Sequence, residues 1–285
     1  MLAPGTGGRE PPRPGCVRRV AALLLLPALL AGPLAAQRIR VEDVATRRGQ
    51  AVRVLSIQPA ERPAGAVILV PGGHGNLGLT PSGRFARGEG DPLIRARLMF
   101  ARVGFIAVVA DVAPDLKLGH GMASGYRWSA RHAEDLGALV RRFRAFAAPV
   151  YLIGADRGAL SVANAASRLT GPARPDGLVI VSGLLVDTGH DQASVERNVA
   201  GLERMTQPVL LVAHPADGCR LTPPAGLERF RPLLPRAARV EALTLPGRQA
   251  GRGDPCAAST AHGFLGGEQQ LVAQVVSWLK ALPHP

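Results

Sequence analysis

The apolar residues fall in short runs at 66–70, 104–111, 150–153, 178–182, 209–213 and 239–245, each bounded by Gly, Pro or polar residues. Near-continuous runs of this length predict strands buried on both faces, as in a parallel sheet. Residues 50–58 alternate instead, which predicts an outer strand. Between these runs the period changes. Leu136, Leu139, Val140 and Phe143 stand at helical spacing and predict a helix over about 128–147. Asp91 followed by Pro92 predicts a capped helix over 91–102, with Leu93, Leu98 and Phe100 on its apolar face. Further helices are expected over 159–166, 191–206 and 269–282, with a short one in 224–234. Strands alternating with helices predict an α/β fold: a mostly parallel central sheet, helices on both faces, joined by right-handed crossovers. No linker, repeat or low-complexity stretch interrupts 37–285, so that segment reads as one domain.

The N-terminus departs from this pattern. Arg9, Arg13, Arg18 and Arg19 precede an apolar block at 20–30, and small residues follow to Ala36. This is the layout of a signal peptide over 1–36, with cleavage expected after Ala36. The block is too short to span a bilayer as a helix. The expectation is a periplasmic or secreted protein with no membrane contact after cleavage. In that compartment Cys219 and Cys256 are an even pair and can form a disulfide.

Charge adds little. The formal charge is +13, but the basic residues are almost all Arg, dispersed along a chain also rich in Ala, Gly and Pro. That is a compositional bias, without the basic stripe or reading motif of a nucleic-acid binder. Arg131, Arg141, Arg142 and Arg144 read as the solvated face of the 128–147 helix. No Cys, His or carboxylate spacing suggests a metal site, and no cofactor is expected. Gly73-His-Gly-Asn-Leu-Gly78 fits a dinucleotide fingerprint on paper. Pro81 and Gly83 then follow where that motif needs a helix.

The candidate chemistry centres on Gly154-Ala-Asp156-Arg-Gly158, lodged between the 150–153 strand and the 159–166 helix. A strand, a sharp turn and a helix, with Gly at both ends of a five-residue window, make a nucleophile elbow. In this stretch the chain resembles the α/β-hydrolase family. Most members carry Ser at the centre, whereas this chain has Asp156; haloalkane dehalogenases and epoxide hydrolases of the family use Asp there. The resemblance spans about 50–282 and implies the fold and several roles. Asp217, after the 209–213 strand, would be the acid, with Asp187 the fallback. His262, in His-Gly-Phe ahead of the last helix, would be the base. The Gly73–His74 turn and the main-chain N–H of Arg157 would form the oxyanion hole. His120, His132 and His214 lack such a context. With about one helix between 182 and 209 there is no room for a lid. If the acid and base meet, their loops are neighbours, and Cys219 and Cys256 are expected to be bonded.

The resemblance implies a hydrolase acting on an ester or related bond of a small molecule. Neither Asp-type subfamily has its supporting set here. Arg157 stands where dehalogenases carry a halide-binding Trp, and Tyr126 and Tyr151 are not lid residues. Asp156 is therefore open as nucleophile or unusual acid. A catalytically impaired hydrolase serving as a binding protein is the alternative, and an unrelated α/β protein the third.

Overall fold

The computed structural model describes residues 1–3, 5, 7–8, 37–117, 121–122, 125–247 and 253–283. The chain divides into a unit Met1–Leu34 and a unit Ala35–Pro285. Most of the expected signal peptide, with Cys16, and His120 lie outside the described residues. In the second unit the strands are β1 (Arg38–Ala45), β2 (Ala51–Gln58), β3 (Gly65–Val70), β4 (Phe105–Ala110), β5 (Val150–Ala155), β6 (Gly177–Val181), β7 (Val209–Ala213) and β8 (Val240–Thr244). The α-helices are α1 (Pro92–Arg102), α2 (Ala130–Arg144), α3 (Gly158–Arg168), α4 (Val195–Asn198), α5 (Gly226–Phe230) and α6 (Glu268–Lys280).

The eight strands form one sheet in the order β1-β2-β4-β3-β5-β6-β7-β8. β1 and β2 pair antiparallel, as do β2 and β4; every later pair is parallel. β3, β4, β5, β6 and β7 are buried along their whole length, which is why each reads as a continuous apolar run. Successive side chains of each strand face opposite ways. Leu139, Leu160 and Leu227 pack with Ile68 and Leu152 on one face, while Leu93, Phe100, Leu271 and Val275 pack with Leu69 and Ile153 on the other. Helices therefore cover both faces, as the alternation of elements predicts.

Two features depart from the sequence reading. β1 is a full strand that pattern reading leaves out. It is a largely exposed edge carrying Arg38, Arg40, Glu42 and Asp43, so little apolar signal marks it. The helix expected over 191–206 is only the single turn α4 and a 3₁₀ turn at Leu202–Arg204. Ser194 caps that turn, but Val199 is extended and Gly201 left-handed, so the helix cannot propagate. The arginines of α2 do lie at the surface. There Arg131 pairs with Asp115, Arg141 with Glu134, Arg142 with Glu42 and Arg144 with Asp176.

The parallel strands end together, and their C-terminal ends carry the residues of interest. β3 leads into Pro71–Gly75, β5 into Asp156, β6 into Ser182 and β7 into the loop bearing Asp217. Ligand sites of open α/β sheets form along this edge.

Candidate active site

Asp156 sits between β5 and α3 with φ of 49°. A left-handed non-glycine residue is strained and persists only where its surroundings hold it. They do so here by close packing. A Cβ on Gly158 would lie 2.2 Å from the carbonyl oxygen of Val70. The elbow and β3 thus touch backbone to backbone, which only glycine permits at that position. The Asp156 main-chain N–H donates to Val181 O at 3.1 Å, tying the elbow to the end of β6.

The Asp156 carboxylate is partly exposed, and its two oxygens have different surroundings. Oδ2 accepts from the main-chain N–H of Gly73 at 2.9 Å. Oδ1 faces Nε2 of His262 at 3.9 Å, beyond direct hydrogen-bond reach. Gly72 makes this approach possible, because a Cβ there would lie 2.6 Å from Oδ2. The oxyanion-type donor that the sequence assigns to this turn therefore holds the protein's own carboxylate.

His262 is buried on a 3₁₀ turn ahead of α6. Its Nδ1 lies 3.0 Å from Oδ2 of the buried Asp217. The Thr222 hydroxyl donates to the same Asp217 oxygen at 3.0 Å and stands 3.0 Å from Nδ1. Asp217 Oδ1 accepts from Cys219 N at 2.9 Å. Burial by itself would lower the His262 pKa. The hydrogen bond to Asp217, and the charges of Asp217, Asp156 and Asp91, outweigh it and hold the pKa above 6.5. Cys219 and Cys256 are joined by a disulfide that links the acid loop to the loop preceding His262. Arg95 of α1 braces the same loop, with Nη2 on the Gly263 carbonyl and Nε 2.6 Å from Glu268.

These groups open on a cavity of about 420 Å³. Gly72, Gly73 and His74 form one wall, Asp156 and His262 another, and Cys256 part of the rim. His74 is exposed at this wall. Arg157 is placed differently from Gly73. It caps α3, its guanidinium pairs with Asp191, and it does not line the cavity. Asp187 holds Arg197 and the Gly189 amide. His132 and His214 are buried outside the cavity. After Gly78 the chain enters a loop and α1 begins only at Pro92, so no helix opens on the glycine-rich turn. Among the described residues no group of three or more His, Cys, Asp or Glu could hold a metal ion.

Four contributors escape sequence reading. Thr222 couples acid and base. Ser182, left-handed at φ 43°, lines the cavity with a buried hydroxyl that has no hydrogen-bond partner among the described residues. Asp91 is legible as the cap of α1, accepting from Leu93 N at 2.8 Å, but its other oxygen accepts from Gly72 N at 2.9 Å. The fourth, buried Arg127, reaches the main chain of the same turn and has no motif around it.

The comparisons agree with this architecture. No protein-family model and no curated protein sequence matches the chain. Among solved structures, a dienelactone hydrolase from Anabaena variabilis superposes with a TM-score of 0.59 at 13% identity, over 86% of this chain and 97% of that one. An esterase from Pyrococcus furiosus superposes at 0.60 and 15% identity, over 86% of this chain and 91% of that one. A puromycin-hydrolysing peptidase from Mycobacterium tuberculosis gives 0.59 and 18% identity over 90% of this chain, which spans only 41% of the peptidase. At these identities the likeness is one of fold. The chain has the α/β-hydrolase fold, and these structural neighbours are hydrolases.

Proposed function

We propose that the chain is an exported small-molecule hydrolase with Asp156 as nucleophile and His262, oriented by Asp217, as the base that activates water. One observation carries the reading: Asp156 Oδ2 is bound by Gly73 N–H while Oδ1 is left facing the cavity and His262. A carboxylate attacking an acyl carbon would form an anhydride, which is uphill. Attack on an sp³ carbon forms an ordinary ester. The bond cleaved is then one from an alkyl carbon to a leaving group, including an ester cut on its alkyl side. Oδ1 forms the bond to carbon and the leaving group departs with its electron pair. His262 then takes a proton from water, whose oxygen attacks Cγ of Asp156. Gly73 N–H holds the oxyanion of that second step, where such a donor contributes most. The alcohol leaves with the proton from His262, the second water proton is lost from the regenerated carboxyl group and accompanies X⁻ as HX, and the Asp156 carboxylate keeps one oxygen from water. The net reaction is R–X plus water to R–OH plus HX.

The test is a single turnover in ¹⁸O-water with 1-bromoalkanes and styrene oxide, followed by mass spectrometry of the Asp156 peptide. Label in that peptide, and a trapped alkyl ester in His262→Ala, are expected. Turnover that leaves Asp156 unlabelled contradicts the nucleophile role. Binding without turnover across such substrates favours the alternative, a binding protein that retains the cavity.

A further inference from the structure

Arg127 is the largest fully buried side chain of the fold and makes no salt bridge among the described residues. Its Nη1 donates to Ser161 Oγ at 2.8 Å. Its Nη2 shares its two N–H groups among three successive carbonyls, Pro71 O, Gly72 O and Gly73 O, each at 3.0 Å. Each of those carbonyls shares a peptide group with the following N–H. The Pro71–Gly72 peptide ends in Gly72 N–H, which donates to Asp91 Oδ2 at 2.9 Å. The Gly72–Gly73 peptide ends in Gly73 N–H, which donates to Asp156 Oδ2 at 2.9 Å. One guanidinium is thus linked to two carboxyl groups, each through a single peptide unit.

A buried cation needs compensating negative charge. Hydrogen bonds in series polarise one another, so a cation on the carbonyl end of a peptide makes its N–H a stronger donor. The three carbonyls turned toward Arg127 also fix the peptide planes, which sends Gly73 N–H toward the cavity. A turn of two adjacent glycines would otherwise have wide conformational freedom.

We propose that Arg127 is a positioning residue, the counter-ion of Asp156 at one peptide's remove, which orients and polarises the Gly73 N–H that holds the reacting carboxylate. The catalytic meaning of this role rests on the nucleophile reading above. The electrostatic role does not, and it is read on the free protein at one pH. The other charged groups around Asp156 are His262, Asp91 and Arg157, the last already paired with Asp191.

Amide proton shifts of Gly72 and Gly73 test it by NMR. In Arg127→Met both signals should move upfield together, while the low-field His262 ring proton bound by Asp217 stays in place. Ser161→Ala, which removes the remaining Arg127 partner but leaves the relay, should move neither amide. Asp91→Asn should move Gly72 and spare Gly73. Arg127→Lys keeps a charge but its ammonium ends one bond short of the Nη2 position, so Gly73 should shift upfield there too, and this variant serves if Arg127→Met does not fold. Amide signals unchanged in a folded Arg127 variant overturn the proposal. So does an equal disturbance of the His262 proton, which would mark general loosening. A wild-type pattern in these variants alongside failed ¹⁸O labelling would sink both readings. Shifted amides without labelling would sink only the catalytic one.

Discussion

The two sides of the cavity are built by different means. On the base side the parts are side chains joined to side chains: Asp217, Thr222 and His262 within 3.0 Å of one another, with a disulfide across the loops and Arg95 behind. On the elbow side the parts are main-chain groups. Asp156 is strained, its partner is a glycine N–H, and that glycine turn is held from below by Arg127 and Asp91. The base side resists change through covalent and hydrogen-bonded cross-links. The elbow side depends on close approach, so one added methyl group displaces it.

The two buried histidines facing charge carry the same contrast. His262 is surrounded by carboxylates and His132 by burial and cations. Desolvation, with Arg127 and Arg48 nearby, pushes the His132 pKa down to about 3.

The largest expected effect breaks the base side. The disulfide closes a sequence separation of 37 residues. In the chain-entropy model its loss costs about 4 kcal/mol of stability. Urea unfolding of the oxidised protein against Cys219→Ser/Cys256→Ser should show an unfolding free energy lower by that amount, with the midpoint falling in proportion. An unchanged midpoint would mean the loops are held by packing alone.

This contrast also marks what the sequence makes legible. Asp217 and His262 each follow a strand or precede a helix at a recognisable place, so spacing along the chain finds them. Elbow glycines announce the turn because only they fit. Arg127 is invisible because all but one of its partners are carbonyls, which every residue has. The single turn α4 reads as a long helix because apolar spacing over 191–206 does not reveal that Gly201 is left-handed. β1 is missed because an exposed edge strand has no apolar face to display.

A smaller effect sharpens the histidine contrast. His132 has a folded pKa below its unfolded 6.5, so its neutral form is favoured in the fold. Stability is intact above about pH 6.5 and lost as pH falls toward 3, by a few kcal/mol at most. His262 has the opposite sign. Its raised pKa gives stability that is full below 6.5 and lost as pH rises through the folded value. His132→Leu should therefore flatten the acid side of the stability profile, and His262→Ala the alkaline side. Urea midpoints from pH 4 to 9 would show this, and an identical acid loss in His132→Leu would contradict it. The smallest effect is that of Thr222→Val, which removes the hydroxyl shared by Asp217 and His262. It should cost about 1 kcal/mol by the same denaturation, as for one buried hydrogen bond. No loss would mean that the hydroxyl is idle.

On the proposed reading Asp156 alone separates this site from an acyl-transfer site: its carboxylate fills the Gly73 donor and faces His262, which Asp217 orients. The most direct measurement compares the parent, Asp156→Ser and Asp156→Ser/His262→Ala on short-chain p-nitrophenyl esters. Ser removes the charge, frees Gly73 N–H and leaves a hydroxyl beside His262. A poor esterase in the parent, a gain in Asp156→Ser, and loss of that gain in the double variant are expected. A parent that is already a good esterase, with activity falling in both variants, would contradict the reading.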